Sequence, residues 1–186
     1  MIEDVKCAIR HVRAEATRYN INPNAIGLFG GSAGGHLVAL AGTADTSAGF
    51  DDVGPYQGVS SRVQAVVDFY GPTDLTIAFA GNNPKGMESV FGKTDATEMG
   101  FASPVSYVTS DDPPFLLIHG LDDTLVPFTQ SQTFYDTLIT QGVEATLVPV
   151  TNAGHGFGPV DKSKPISPSI IEITTLASDW LVDHLR

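Results

Sequence analysis

Cysteine is almost missing from this chain: Cys7 stands alone among 186 residues. One thiol closes no intrachain disulfide and anchors no thiolate metal cluster, so a disulfide-stapled scaffold and a zinc-finger-type module are both excluded. It does not fix a compartment either, and the cytoplasm stands only as a default. Basic residues are scarce too, with Lys and Arg numbering 10 against 21 Asp and Glu, for a formal net charge of −11. That sign repels a phosphate backbone and an anionic bilayer, so no nucleic-acid partner is expected. Long apolar runs are absent: stretches such as Phe115 to Ile118 fall far short of the roughly 18 residues a membrane helix needs. No basic-then-apolar signal segment opens the chain, and no membrane span is expected. Glycine, by contrast, is abundant at 19 residues, and hydrophobic types make up 42% of the chain. The length suits one domain over residues 1–186 with a single core, and no repeat or linker divides it.

Ile2, Val5, Ile9, Val12, Ala16 and Tyr19 step by threes and fours, which predicts one amphipathic helix running to about Asn20. Asn22-Pro23-Asn24 breaks it, and Ala25 to Gly30 reads as a short buried strand. A second helix follows at once, with Leu37, Leu40 and Ala41 on its apolar face and Gly42 near its end. Asp45 to Ser61 reads as a long surface loop, and Val63 to Tyr70 as the next strand. Thr73 or Asp74 is placed to cap a short helix, after which Asn82 to Thr109 reads as irregular. Phe115 to His119 predicts a third buried strand, and Pro127 opens a helix carrying Phe128, Phe134, Leu138 and Ile139 that Gly142 stops. Glu144 to Val150 predicts a fourth strand. Ile170, Ile173, Ala177, Trp180, Leu181 and Leu185 then stripe a closing helix. Strands alternating with helices imply an α/β fold of three layers, a mainly parallel sheet covered by helices on both faces. In such sheets the ligand site lies at the carboxyl ends of the strands.

Gly30-Gly31-Ser32-Ala33-Gly34 fits G-x-S-x-G, and it sits between a predicted strand and a predicted helix, the context of a nucleophile elbow. A sharp turn there would hold the serine in a strained conformation, with small residues at Gly30 and Gly34 letting strand and helix approach. The helix start would aim free N–H groups at an oxyanion formed when Ser32 attacks a carbonyl. The competing reading is a phosphate-binding glycine loop, which lacks the Lys of a P-loop here. A serine nucleophile needs a histidine oriented by a carboxylate. Among five histidines, His11 and His184 read as solvated helix residues, His36 as a packing residue one turn past Ser32, and His119 as a strand-end residue bonding backbone. His155, in Ala153-Gly154-His155-Gly156-Phe157, has loop freedom and the right place in the chain order. The acid belongs after the third strand, where Asp122 and Asp123 both stand. From the residues alone either serves, the other being a turn residue.

Gly31-Ser32-Ala33-Gly34-Gly35-His36-Leu37, Phe69-Tyr70-Gly71-Pro72-Thr73-Asp74, Asp112-Pro113-Pro114-Phe115 through His119-Gly120, and Gly154-His155-Gly156-Phe157, in that order, resemble the acetyl-esterase and feruloyl-esterase-like branch of the α/β-hydrolases. The resemblance covers nearly the whole chain. Its H-G-x-x-D-x-x-V-P pattern implies that Asp123, not Asp122, is the acid. It further implies Ser32 as nucleophile, His155 as base, the Ala33 N–H as an oxyanion donor, and Gly31, Tyr70 and Phe157 as substrate-facing residues. The implied activity is hydrolysis of small short-chain or aryl carboxylic esters through an acyl-enzyme, with no metal or organic cofactor. Amide hydrolysis of the formamidase or prolyl-oligopeptidase kind is the alternative, less favoured because Ala33 is small where such peptidases carry a bulky residue.

Members of that branch resemble this chain in their carboxyl-terminal part. Ahead of it they carry further strands and an H-G-G-type loop that completes the oxyanion hole, and these 186 residues contain no such loop. The expectation is therefore an α/β-hydrolase core reduced to about its last four strands, either a truncation or a minimal variant. A partner-dependent module with little activity of its own is the reading from a different class. Ala25 to Gly30 would become an uncovered sheet edge, which predicts a homodimer or other self-association through it.

Overall fold

The computed structural model of the chain describes residues 1–82, 88 and 95–186. Four strands, β1 (Gly27–Gly31), β2 (Ala65–Phe69), β3 (Phe115–Gly120) and β4 (Ala145–Val150), lie parallel and side by side in chain order. Gly31 pairs with Phe69, Phe69 with Ile118, and Ile118 with Val148, so all four strands end along one rim of the sheet. Whatever follows each strand therefore meets at that rim.

The strands alternate by twos. Val66, Phe115 and Leu117 pack on one face against Ile9 of α1 (Ile2–Ala14), Val38, Ala39 and Ala41 of α3 (Ala33–Thr43), and Phe134 and Leu138 of α5 (Thr129–Thr140). Val67, Leu116, Ile118 and Val150 pack on the other against Ile173 and Ala177 of α6 (Ile170–His184). The result is the expected three-layer α/β arrangement, in which each fully buried large apolar side chain contributes about 2 kcal/mol. β3 has helices on both faces and a strand on either side, so all six of its residues are buried. β1 has a strand on one side only, and Phe29 is 69% exposed.

The first helical stretch departs from its expected form. It divides at Glu15 into α1 and a single turn α2 (Ala16–Tyr19), which Asn20 ends in the left-handed conformation. The apolar stripe stops at Ala16, and Tyr19 is exposed. Sequence periodicity also hid two buried cations on α1. Lys6 Nζ donates to Ala44 O, Asp51 Oδ2 and Ser61 Oγ at 2.6, 3.1 and 3.1 Å, and Arg10 donates to Asp51 Oδ1 at 2.7 Å. Burial lowers the Lys6 pKa against the pull of Asp51. Burial alone would raise that of Asp51, but its bonds to Ser61, Lys6 and Arg10 outweigh it and hold the carboxylate charged. The cluster ties the 45–61 loop to α1.

No helix follows Thr73 or Asp74 directly. The fully buried Gln130 takes both amides on its Oε1, at 2.8 and 2.7 Å, and Asp74 Oδ1 accepts from Thr76 N instead. The irregular segment expected over 82–109 lies partly outside the described residues. Its described part is ordered by α4 (Ala96–Phe101), capped by Asp95, and a 3-10 turn at Pro104–Tyr107. Ile139 and Ile170, expected on apolar faces, are exposed at the edges of their stripes.

Candidate active site

Ser32 is the single residue between β1 and α3, with φ 56° and ψ −121°. A positive φ on a residue with a Cβ is strained by about 1–3 kcal/mol and persists only where surrounding contacts fix it. Those contacts are visible: Ser32 N donates to Phe69 O at 2.9 Å, and His36 N donates to Ser32 O at 3.0 Å. The turn also brings β1 against the first turn of α3, since a Cβ on Gly30 would lie 2.4 Å from Gly34 O. Gly30 therefore has to be glycine. Gly34, expected to matter in the same way, does not, because a Cβ there would meet nothing within 4 Å. The Ala33 N–H belongs to the first turn of α3 and so has no intrahelical partner.

His155 arrives from the other end of the sheet, on a loop after β4 that makes a 3-10 turn over His155–Phe157. Its Nε2 is 2.8 Å from Ser32 Oγ and its Nδ1 is 2.7 Å from Asp123 Oδ2. A carboxylate only accepts, so the proton sits on Nδ1, and Nε2 is left to accept from the serine hydroxyl. Asp123 lies just past β3 with its side chain fully buried, and its Oδ1 accepts from Leu125 N and Val126 N, both at 2.9 Å. Those two amides fix the carboxylate, which leaves Oδ2 for the imidazole. Asp122 is exposed, and its amide is spent on Ala153 O at 3.0 Å, a bond that joins the acid loop to the histidine loop. Of the two aspartates, only Asp123 meets His155 in this geometry.

The other expected residues divide. Tyr70, with φ 45°, lays its ring edge-on to His155 at 4.9 Å, and its hydroxyl is 2.9 Å from where a Gly31 Cβ would stand. Burial, then the charges of Asp123 and Asp68, push that hydroxyl's pKa up. Phe157 is buried against Tyr70 and Phe69, with ring centroids 4.8 and 6.0 Å apart, and its packing supports the histidine loop. His36 is buried as expected and donates from Nε2 to Ala102 O at 2.7 Å. His11 and His184 are not simply solvated. His11 lies between the hydroxyls of Tyr56 and Tyr19, each at 2.9 Å, and His184 donates to Trp180 O at 2.8 Å. Among the described residues, no group of three His, Cys, Asp or Glu could hold a metal ion, and no helix is long and apolar enough to cross a membrane.

The BD-FAE family profile matches residues 1–138. The chain belongs to the BD-FAE family. Among curated proteins, this BD-FAE chain is 36% identical to the esterase LipQ of Mycobacterium tuberculosis over 84% of its own length and 38% of LipQ. Among solved structures, a truncated carbohydrate esterase from gut microbiota superposes with TM-score 0.79 at 32% identity, over 97% of this chain and 68% of that one. The butyrate-bound Thermogutta terrifontis esterase Est2 gives TM-score 0.78 at 28% identity, over 98% and 64% respectively, and esterase 2 of that species is also solved phosphorylated by paraoxon. These neighbours are carboxylic esterases of the α/β-hydrolase type, which fixes the fold class. The chain spans less than half the length of the curated relatives it matches.

One buried residue near the end of β2 is not announced by any motif. Asp68 lies in β2, fully buried, with Oδ1 accepting from Gly71 N at 2.9 Å and Oδ2 without a partner among the described residues. A Cβ on Gly35 or Gly71 would come within 2.2 or 2.5 Å of its Oδ1, so the carboxyl is wedged between the end of β2 and the first turn of α3. The signal was a lone carboxylate inside an otherwise apolar strand, Val66-Val67-Asp68-Phe69. Burial pushes its pKa from 3.8 to about 7. An acid with a raised folded pKa binds more protons folded than unfolded, so its contribution is intact below the unfolded value and lost as pH climbs towards 7. At about 1.4 kcal/mol per unit, Asp68→Asn is expected to remove about 2–3 kcal/mol of the stability lost between roughly pH 5 and pH 8. Denaturant melts of parent and variant at both pH values check this; equal pH dependence in the two contradicts it.

Proposed function

We propose that this chain carries the nucleophile, acid and base of a serine carboxylesterase acting on small carboxylic esters. The observation that carries the reading is the continuous hydrogen-bonded line from Ser32 Oγ through His155 to Asp123, at 2.8 and 2.7 Å. Ser32 Oγ attacks the ester carbonyl as its proton passes to His155 Nε2, and the Ala33 N–H at the start of α3 donates to the oxyanion. Collapse expels the alcohol, which takes the proton from His155. Water then attacks the acyl carbonyl as it gives a proton to His155, and collapse breaks the ester bond to Ser32 Oγ and releases the acid as His155 returns that proton to Ser32. Asp123 keeps the Nδ1 proton in place and offsets the imidazolium charge. No metal or organic cofactor enters these steps. Gly31, with no side chain, leaves space for the Tyr70 ring, whose hydroxyl is a candidate polar contact for the substrate. The butyrate bound to Est2 supports a short acyl group.

Rapid mixing with p-nitrophenyl acetate and butyrate tests this reading. An acyl-enzyme predicts a p-nitrophenol burst of about one equivalent per chain before the steady state. No burst, together with no turnover, supports instead a module that needs a partner for catalysis.

For the 186-residue chain by itself we also propose self-association along β1. Among the described residues no strand pairs with that edge, which carries no charged residue and presents Phe29 to water. Sedimentation at micromolar concentration is expected to give a dimer or larger species, and a clean monomer at 19.6 kDa contradicts it.

A further inference from the structure

His119 is the last residue but one of β3, close to Asp123, and it is fully buried. Its Nε2 is 2.9 Å from Val126 O, a group that can only accept, so that nitrogen carries the hydrogen. Nδ1 then has a free lone pair, which accepts at 2.7 Å from Oγ of Ser131, an equally buried residue in the first turn of α5. The tautomer follows from these two partners alone. The same Nε2 also stands 3.3 Å from Asp123 Oδ2, the oxygen that His155 Nδ1 reaches at 2.7 Å. One carboxylate oxygen thus lies between two imidazoles. Val126 closes the arrangement, because its N–H donates to Asp123 Oδ1 while its C=O accepts from His119.

We propose that His119 is a positioning residue: its Nε2–H, set by Val126 and Ser131, clamps the Asp123–Val126 turn and holds Oδ2 in line with the His155 ring. This rests on Asp123 being the acid of the triad. The ionisable groups around His119 are Asp123, His155 and Tyr70, the last edge-on at 6.4 Å, while Phe128 covers another side at 5.9 Å. Burial lowers the His119 pKa against the raising influence of Val126 and Asp123. A neutral donor suits the task, since it orients the carboxylate without adding a full positive charge that would compete with the imidazolium on His155.

Two substitutions separate positioning from packing. His119→Phe keeps ring volume and removes both nitrogens; His119→Gln keeps an N–H donor at similar reach. With folding checked by circular dichroism and thermal melting, His119→Phe is expected to lower kcat about 10-fold with KM nearly unchanged, the scale found when an outer hydrogen-bond partner of a working side chain is removed. The acid limb of kcat/KM should move to higher pH, because an Asp123 with one donor fewer holds the imidazolium more strongly. His119→Gln should recover most of kcat. A folded Phe variant with parental kcat and pH profile overturns the proposal, as does a Gln variant no better than the Phe variant. Should His119→Phe not fold, imidazole nitrogen NMR of the unmutated chain decides: a neutral ring protonated at Nε2 at neutral pH is expected, and a ring protonated at Nδ1, or at both nitrogens, overturns it. Full losses in Ser32→Ala and Asp123→Asn beside an unaffected His119→Phe would refute this role and leave the triad standing.

Discussion

Asp123→Asn is expected to lower kcat for ester hydrolysis by about 10⁴-fold, while Asp122→Asn stays within a few-fold. The reason is positional. Asp123 has a fully buried side chain, anchored on one oxygen by two backbone amides and presenting the other to His155 at 2.7 Å. An amide there can turn its NH₂ toward Nδ1, which then has to become the acceptor, and the proton moves to Nε2 where it blocks attack by the serine. Asp122, exposed and linked to the histidine loop only through its backbone, has no such influence on the imidazole. Steady-state assays of both variants on one chromogenic ester check the pair, and the reverse ranking would place the acid one residue earlier.

Ser32→Ala is expected to cost still more, about 10⁶-fold, which brings hydrolysis to background. Stability should hardly change. Alanine keeps the Cβ and so keeps the strained φ of 56°, and the lost hydroxyl bonds His155 at a half-buried position. Thermal melting beside the rate assay separates the two effects. A variant that hydrolyses ester at the parental rate would remove Ser32 from the chemistry.

Much of the frame is legible in the residues because it depends on local patterns. β3 is a run of apolar residues long enough only for a buried strand, and Ser32 falls between a strand and a helix that are each evident from periodicity. The chain order of Ser32, Asp123 and His155 narrows the candidate base to one of five histidines. Choosing between Asp122 and Asp123 is different: both follow β3, and their separation depends on which carboxyl points inward, a matter of turn geometry set by Leu125 and Val126. Long-range polar contacts are the least legible. Nothing in the spacing of Lys6 and Arg10 on an amphipathic helix announces Asp51, 45 and 41 positions away. Gln130 likewise satisfies the amides of Thr73 and Asp74 across 57 and 56 positions, where local rules favour a helix cap. His119 shows both sides, since its backbone bond was foreseeable from its place at a strand end, whereas its approach to Asp123 depends on how the following turn folds back.

Treatment with paraoxon followed by peptide mapping by mass spectrometry tests the central claim most directly, because a hydroxyl activated by its own base is phosphorylated fastest and the labelling does not depend on completing turnover. One diethylphosphoryl group per chain, on the peptide containing Ser32 and absent after His155→Ala, is the predicted result. A label on another residue, or none at a reagent excess that phosphorylates Thermogutta terrifontis esterase 2, would contradict it.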